Sequence, residues 1–231
     1  MPLSDSITTC LFDMDGTLID SEVVWVDAIQ AALHEKGVRL SKEQVVRLEY
    51  GRAWRDIFQD IQSQWPHAFA TIEEMEALTV PYYERVTAIQ DISIQGSVAL
   101  LKQLAKAGYT IGIVSGSTRK RIATVIEQLK IGDLVQGYLG GSDYTNGKPA
   151  PDSYLAGARL LHAEPSQCIV FEDSPAGIAA AKNAGMLCVA LKRNLRLTDG
   201  TSPQLPAQSS SALAADLELS DLSLFSFEQL P

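Results

Sequence analysis

Residues 10–22, CLFDMDGTLIDSE, set two aspartates, Asp13 and Asp15, one residue apart at the end of an apolar run. The run ITTCLFD (7–13) reads as a buried strand, and the Asp-Gly step that follows is a turn signal. Like charges placed where a strand leaves the core repel each other and resist burial. Something nearby has to answer them.

Working outward, similar β-branched runs recur at YTIGIVS (109–115), QCIVFED (167–173) and MLCVAL (186–191), with amphipathic helical stretches between them from residue 96 onward. That alternation predicts βαβ units and a mostly parallel, doubly wound (Rossmann-like) α/β sheet. Between the first strand and the next no convincing strand occurs; helical patterns near 20–36, 41–49, 52–63 and 71–88 fill the interval instead. One crossover helix does not need that length. The economical division is an α/β core, residues 1–16 and 94–231, with a small helical domain, residues 17–93, inserted after the first strand and hinges near Thr17–Asp20 and Ser93–Gly96. Past the sheet, LTDGTSPQLPAQSSS (197–211) reads as a loop, and ALAADLELSDLSLFSFEQL (212–230) as a short edge strand and a closing helix.

Composition narrows the class. With 231 residues, 46% apolar and 20% charged, the chain can bury a core and lacks the signature of disorder. Its formal charge of −9 disfavours non-specific nucleic-acid binding and anionic membrane surfaces. An anionic substrate would therefore need a local positive centre. Cys10, Cys168 and Cys188 sit in apolar runs far apart and read as buried thiols. The N-terminus has no leader-like pattern and no stretch is long and apolar enough to span a bilayer, so cytoplasmic residence and a monomer are expected.

In open parallel sheets reactive groups collect beyond the carboxyl ends of strands. Here those ends carry Asp13 and Asp15, then Ser115-Gly116-Ser117, then Glu172-Asp173-Ser174, with Lys148 in the loop NGKPAPD (146–152). Carboxylates converging on one spot call for a cation, and oxygen-only ligands select a hard one, with Mg²⁺ the usual choice beside a phosphate. Ser115, Ser117, Lys148 and the start of the helix near Thr118 would supply donors for a phosphoryl group. Taken singly, each feature has a plainer reading: the Asp pair as a cap and turn, Lys148 as a surface lysine, Ser174 and Gly177 as helix-start residues. Ser117 reads equally well as a helix cap or as a ligand contact. An EF-hand reading fails, because Val24 stands where the loop needs glutamate. His34, His67 and His162 have no partners in the pattern and are expected at the surface.

DMDGT (13–17), the strand-end Ser115, Lys148 of GKPAPD (147–152) and EDSPAG (172–177) resemble the four ordered motifs of the haloacid dehalogenase superfamily of phosphotransferases, and the helical insert resembles that superfamily's small helical cap. The resemblance implies that Asp13 is the nucleophile and Asp15 the general acid and base. Ser115 and Lys148 would hold the transferring phosphoryl group. Asp13, Glu172, Asp173 and the Asp15 backbone carbonyl would hold Mg²⁺. Thr17, Gly116 and Ser117 would line the substrate site. The cap stretch EYGRAWRD (49–56) resembles the loop that reads the substrate, which makes Gly51, Arg52, Trp54 and Arg55 candidates, a solvated face being the plainer reading for the arginines; Trp25, early in the first cap helix, is a further candidate that faces either the cleft, the preferred reading, or the cap's own core.

Within the family, a phosphatase acting on a small phosphorylated metabolite, a sugar or polyol phosphate, is the expectation. A β-phosphoglucomutase-type enzyme is the alternative: Trp25 and Trp54 stand where mutases carry a histidine and an arginine, yet Arg52 and Arg55 lie close by. Asp15 argues against the dehalogenase branch, whose members lack it. A catalytically silent sugar-phosphate-binding module is the remaining reading.

Overall fold

The computed structural model describes residues 6–49, 54–192, 197 and 214–230. Six strands, β1 (Thr9–Phe12), β2 (Thr110–Val114), β3 (Gly137–Leu139), β4 (Cys168–Glu172), β5 (Leu187–Leu191) and β6 (Leu217–Leu219), form one sheet in the order β3-β2-β1-β4-β5-β6. Every pairing is parallel. Each strand of β1 and β4 is buried throughout, which is why their sequences run apolar without alternation.

The register decides where the chemistry sits. Phe12 pairs with Ile113 on one side and with Phe171 on the other, so the three central strands end level. Asp13 continues the ladder by donating its N–H to the Phe171 carbonyl at 3.0 Å, and the Ser115 N–H donates to Leu139 O at 3.1 Å. From β1 the chain winds one way to β2 and β3, whereas β4, β5 and β6 extend the other side. The β1–β4 boundary is therefore the switch point at which such sheets open a crevice.

The chain divides into two compact units: one holds residues 1–19, 93–193 and 209–231, the other residues 20–92 and 194–208. In the first, α7 (Asp152–Leu160) and α8 (Pro175–Asn183) cover one sheet face through a cluster that includes Leu11, Val114, Tyr154, Ala158, Val170 and Ala180. Here α5 (Gln95–Lys106) and α6 (Arg119–Gln128) also lie between strands. The two passages toward the insert run together: Ile94 N–H donates to Leu18 O at 2.9 Å, and Ile19 bridges antiparallel to Ser93. Pairing at this point keeps the break in the first βαβ unit local.

The second unit contains α1 (Ser21–Glu35), α2 (Lys42–Glu49), α3 (Trp54–Gln64) and α4 (Ile72–Thr87). Val26, Ile29 and Leu33 recur at helical spacing on α1 and are buried with Val45, Ile57, Ile61, Phe69 and Met75. Leu197, from the segment expected to be only a loop, is buried in this same core.

The expected closing helix does not form. Residues 222–224 and 227–229 make two short 3-10 turns instead. Asp221 and Ser226 each accept a hydrogen bond from the backbone two residues on (2.8 and 3.4 Å), which restarts the turn before a helix can propagate. Phe225 and Phe227 alternate at a period of two; Phe225 meets Phe171 edge-on at 5.2 Å and Phe227 stacks on Tyr109 at 5.1 Å. That spacing closes the sheet face, and a helix would have turned one of the two rings away.

Candidate active site

Asp13 lies at the end of β1 with little exposed surface, and its Oδ1 accepts from Lys148 Nζ at 2.6 Å. The same ammonium donates to Glu172 Oε1 at 2.5 Å, and its Nζ sits 4.9 Å from the centroid of the Tyr154 ring. Glu172 has no exposed surface and is saturated with donors. Its Oε1 also takes the Tyr154 hydroxyl at 3.0 Å, while Oε2 takes the Asp173 N–H (2.9 Å), the Ser174 N–H (2.8 Å) and the Ser174 hydroxyl (3.0 Å). This carboxylate fixes both the lysine and the turn that presents Asp173. Ser174 in turn caps α8 by accepting from Gly177 N–H at 3.0 Å, the helix-start role the sequence suggested.

Asp173 is held from the β1 side. Thr17, fully buried, donates to its Oδ1 at 3.0 Å. Gly16 adopts a left-handed backbone with φ +84°, and a Cβ there would collide with the Asp173 carboxylate. Glycine is thus required twice over at this turn.

Asp13, Glu172 and Asp173 offer carboxylate oxygens that lie within 4.8 Å of one another. Burial pushes the Asp13 carboxyl above the ordinary aspartate range, Lys148 pulls against that, and Glu172 and Asp15 add to the rise. Burial likewise works against the Lys148 charge, but Asp13 and Glu172 outweigh it and hold the ammonium well above the ordinary lysine range. One lysine between Asp13 and Glu172, with the Asp173 carboxylate beside them, leaves negative charge in a largely buried place. The donor set is all oxygen and short of a cation, so it fits a hard divalent ion.

Asp15 points elsewhere. Its Oδ2 accepts from the hydroxyls of Ser117 (2.8 Å) and Ser115 (3.3 Å), and its Oδ1 pairs with Arg121 Nη2 at 2.5 Å. Arg121 Nη1 also donates to Ser117 Oγ at 3.2 Å, and Ser117 N–H to Ser115 Oγ at 3.0 Å. Gly116 lies between the two serines with open space where a side chain would stand. The capping of α6 falls to Thr118, which accepts from Arg121 N–H at 3.3 Å, so Ser117 is spared for the site.

Of the sequence candidates, one set of bonds ties Asp13, Lys148, Glu172, Asp173 and Thr17 together, and a second ties Asp15 to Ser115 and Ser117. Arg121 and Tyr154 were missed. Arg121 stands four residues after Ser117, a helical spacing that could have flagged it; Tyr154 reads as an ordinary apolar position of α7. In the helical unit, Trp25 stacks on Tyr83 at 4.2 Å and meets Trp54 at 5.2 Å, and Trp54 packs against that unit's core. Arg55 is exposed, and Gly51 and Arg52 fall outside the described residues. The three histidines lie at least partly exposed, and the three cysteines are buried and free, as expected. Among the described residues no helix is long and apolar enough to cross a membrane.

Residues 7–185 match the haloacid dehalogenase-like hydrolase family. The chain belongs to that family. Validoxylamine A 7'-phosphate phosphatase of Streptomyces hygroscopicus subsp. limoneus is 33% identical over 181 residues, 78% of this chain and 84% of the relative. Hexitol phosphatase A of Escherichia coli (strain K12) is 30% identical over 188 residues, covering 78% and 81%. The solved β-phosphoglucomutase of Clostridium difficile superposes with a TM-score of 0.71 at 23% identity, over 96% of this chain and 94% of that one, and shares the fold. Family members at this level of identity differ in substrate, so membership fixes a hydrolase and leaves the leaving group to the details of each chain.

Proposed function

We propose that this hydrolase is a Mg²⁺-dependent phosphatase that cleaves a sugar or polyol phosphate through an aspartyl-phosphate intermediate. The observation that carries the reading is the placement of Asp13: a buried carboxylate at the switch point, held by Lys148 and adjoining the Glu172–Asp173 turn. Asp13 attacks phosphorus and the ester oxygen leaves; water then releases phosphate and regenerates the carboxylate. Asp15 gives its proton to the departing alcohol and takes one from the hydrolytic water. Lys148 and the Ser115 hydroxyl stabilise the charge on the transferring group, which supplies most of the rate in such reactions.

Asp13, Asp173 and the Asp15 carbonyl would hold Mg²⁺; Glu172, expected among the ligands and part of the same cluster, has both oxygens taken by donors and would fix Asp173 and Lys148 from behind. The ion supplies charge neutralisation that lets an anionic carboxylate approach an anionic ester. The relatives named hexitol phosphatase A and validoxylamine A 7'-phosphate phosphatase support a phosphate ester of a small metabolite, the first of them a polyol, as the substrate class.

The test is phosphate release from a panel of sugar, polyol and nucleotide monophosphates with and without Mg²⁺. It includes β-glucose 1-phosphate with a bisphosphate primer and a readout for glucose 6-phosphate. Metal-dependent phosphate release from a sugar or polyol phosphate is expected. Isomerisation without release would make the chain a mutase, and silence on every ester would make it a binding module.

A further inference from the structure

Three donors in the core unit converge on one carboxylate. The Arg121 guanidinium and the hydroxyls of Ser115 and Ser117 all reach Asp15, from the end of β2 and the first turn of α6. Arg121 also donates to Ser117 Oγ, so the donors are tied to each other as well as to their acceptor. A guanidinium flanked by hydroxyls is an arrangement that suits two oxygens of a tetrahedral oxyanion as well as it suits a carboxylate.

We infer that Arg121 is a phosphoryl-binding residue, and that the Asp15 carboxylate occupies its cradle only until a phosphate ester arrives. This rests on the phosphatase reading above. Lys148, the cation the motifs point to, is held by two buried carboxylates, Asp13 and Glu172, and brings little uncompensated charge to a substrate. Arg121 differs in its partner. Its side chain is 25% exposed and that of Asp15 30% exposed, so their pair is open to solvent and to competition. A dianion displaces a partly open ion pair at less cost than a fully buried one. Since Asp15 must face the departing alcohol to serve as acid, an ester that takes over Arg121 and Ser117 also frees Asp15 for its task. Binding and the positioning of the acid become one exchange. On a chain of formal charge −9, this arginine is the local positive centre an anionic ester needs.

The exchange is testable by binding alone. Affinity for inorganic phosphate in the presence of Mg²⁺ is measured by calorimetry on the wild type, Arg121→Gln, Arg121→Lys, Asp15→Asn and the Asp15→Asn/Arg121→Gln double variant. Arg121→Gln is expected to weaken phosphate binding at least about tenfold, with Arg121→Lys recovering part of the loss. Asp15→Asn is expected to tighten binding, and the gain is expected to vanish in the double variant. Wild-type affinity in Arg121→Gln overturns the inference. So does a gain from Asp15→Asn that persists undiminished without Arg121, which would be a plain charge effect.

Turnover separates binding from positioning. A phosphoryl ligand is needed for every ester, so Arg121→Gln should lose kcat/KM on p-nitrophenyl phosphate as well as on alkyl phosphates. Loss on alkyl phosphates alone would reduce Arg121 to a residue that only orients Asp15, because nitrophenolate leaves without an acid. Thermal unfolding checks that each variant is folded, and Arg121→Lys carries the test should the glutamine variant not be. The binding result stands apart from the ester panel: a wild type that binds phosphate but hydrolyses nothing overturns the phosphatase reading alone.

Discussion

Lys148 donates to Glu172 across 2.5 Å at a point where Glu172 has no exposed surface. Asp13 shares the same ammonium, so one side chain is the counter-charge of both the proposed nucleophile and the residue that fixes the Asp173 turn. Removing it leaves two buried carboxylates without their cation. Lys148→Met is therefore expected to lower stability by about 3–5 kcal/mol, the usual consequence of orphaning one side of a buried pair. It should also reduce kcat by at least ~10². Urea unfolding and steady-state kinetics measure both. A variant that lost activity but unfolded at the wild-type urea concentration would mean that Lys148 serves the substrate and has no part in holding the turn.

Asp13→Asn separates chemistry from architecture. The amide keeps the shape of the side chain, and it removes a carboxylate that burial already pushes above the ordinary aspartate range. Folding should survive, with Lys148 still held by Glu172. Turnover should fall by at least ~10⁴, as expected when a nucleophile is removed from a constellation that works as a unit. Trapping of the phosphoenzyme with hydroxylamine should succeed in the wild type and fail in the variant. Hydrolysis at an undiminished rate by Asp13→Asn would remove the covalent mechanism.

Metal binding should show in the stability of the chain without any substrate. An ion bound to the folded chain alone stabilises it by RT ln(1 + [L]/Kd), about 2.7 kcal/mol at a hundredfold excess over Kd. Mg²⁺ should raise the unfolding midpoint of the wild type, and chelation should reverse the rise and stop catalysis. Asp173→Asn should flatten the response, because Asp173 belongs to the cluster and Thr17 and Gly16 are arranged around its carboxylate. An equal Mg²⁺ response in wild type and Asp173→Asn would place the ion somewhere else.

How far these sites could be read in advance differs residue by residue. The buried parallel strands announce themselves as apolar runs, and each run ends in the polar residues that now stand side by side, because a parallel register brings strand ends level. Lys148 was legible only through its company, since a lysine in a polar loop looks like surface until the fold carries it to Asp13. Arg121 was not read because a basic residue on the first turn of a helix has an ordinary solvated explanation, and only the approach of β1 to β2 supplies Asp15 as its partner. The tail misled for a different reason: ELSDLSLFSFEQL carries apolar residues at mixed spacing, and the choice between helix and 3-10 turns fell to capping by Asp221 and Ser226 and to ring contacts made across the sheet. Leu197 lies in a polar stretch, and nothing local signals that it belongs to a core.

Glu49, the last residue of α2, gives the helical unit a pH dependence of its own. It is buried, its Oε1 has no hydrogen-bond partner among the described residues, and burial, then the nearby Glu22 carboxylate, pushes its pKa well above the ordinary glutamate value. A carboxyl raised in this way holds its proton in the folded chain over a range where the unfolded chain has lost it. In that window the folded state binds more protons, so stability falls as pH rises above the ordinary glutamate pKa, by up to about 1.4 kcal/mol per unit, until the raised folded value is passed. Glu49→Gln keeps the shape of the protonated acid and cannot ionise. Urea unfolding at pH 5 and pH 8 should show the variant close to the wild type at the lower pH and more stable at the higher, with Glu22→Gln giving part of the same gain. Parallel pH dependences in wild type and Glu49→Gln would mean that Glu49 finds a compensating partner, and that the carboxylate is charged in the folded chain throughout this range.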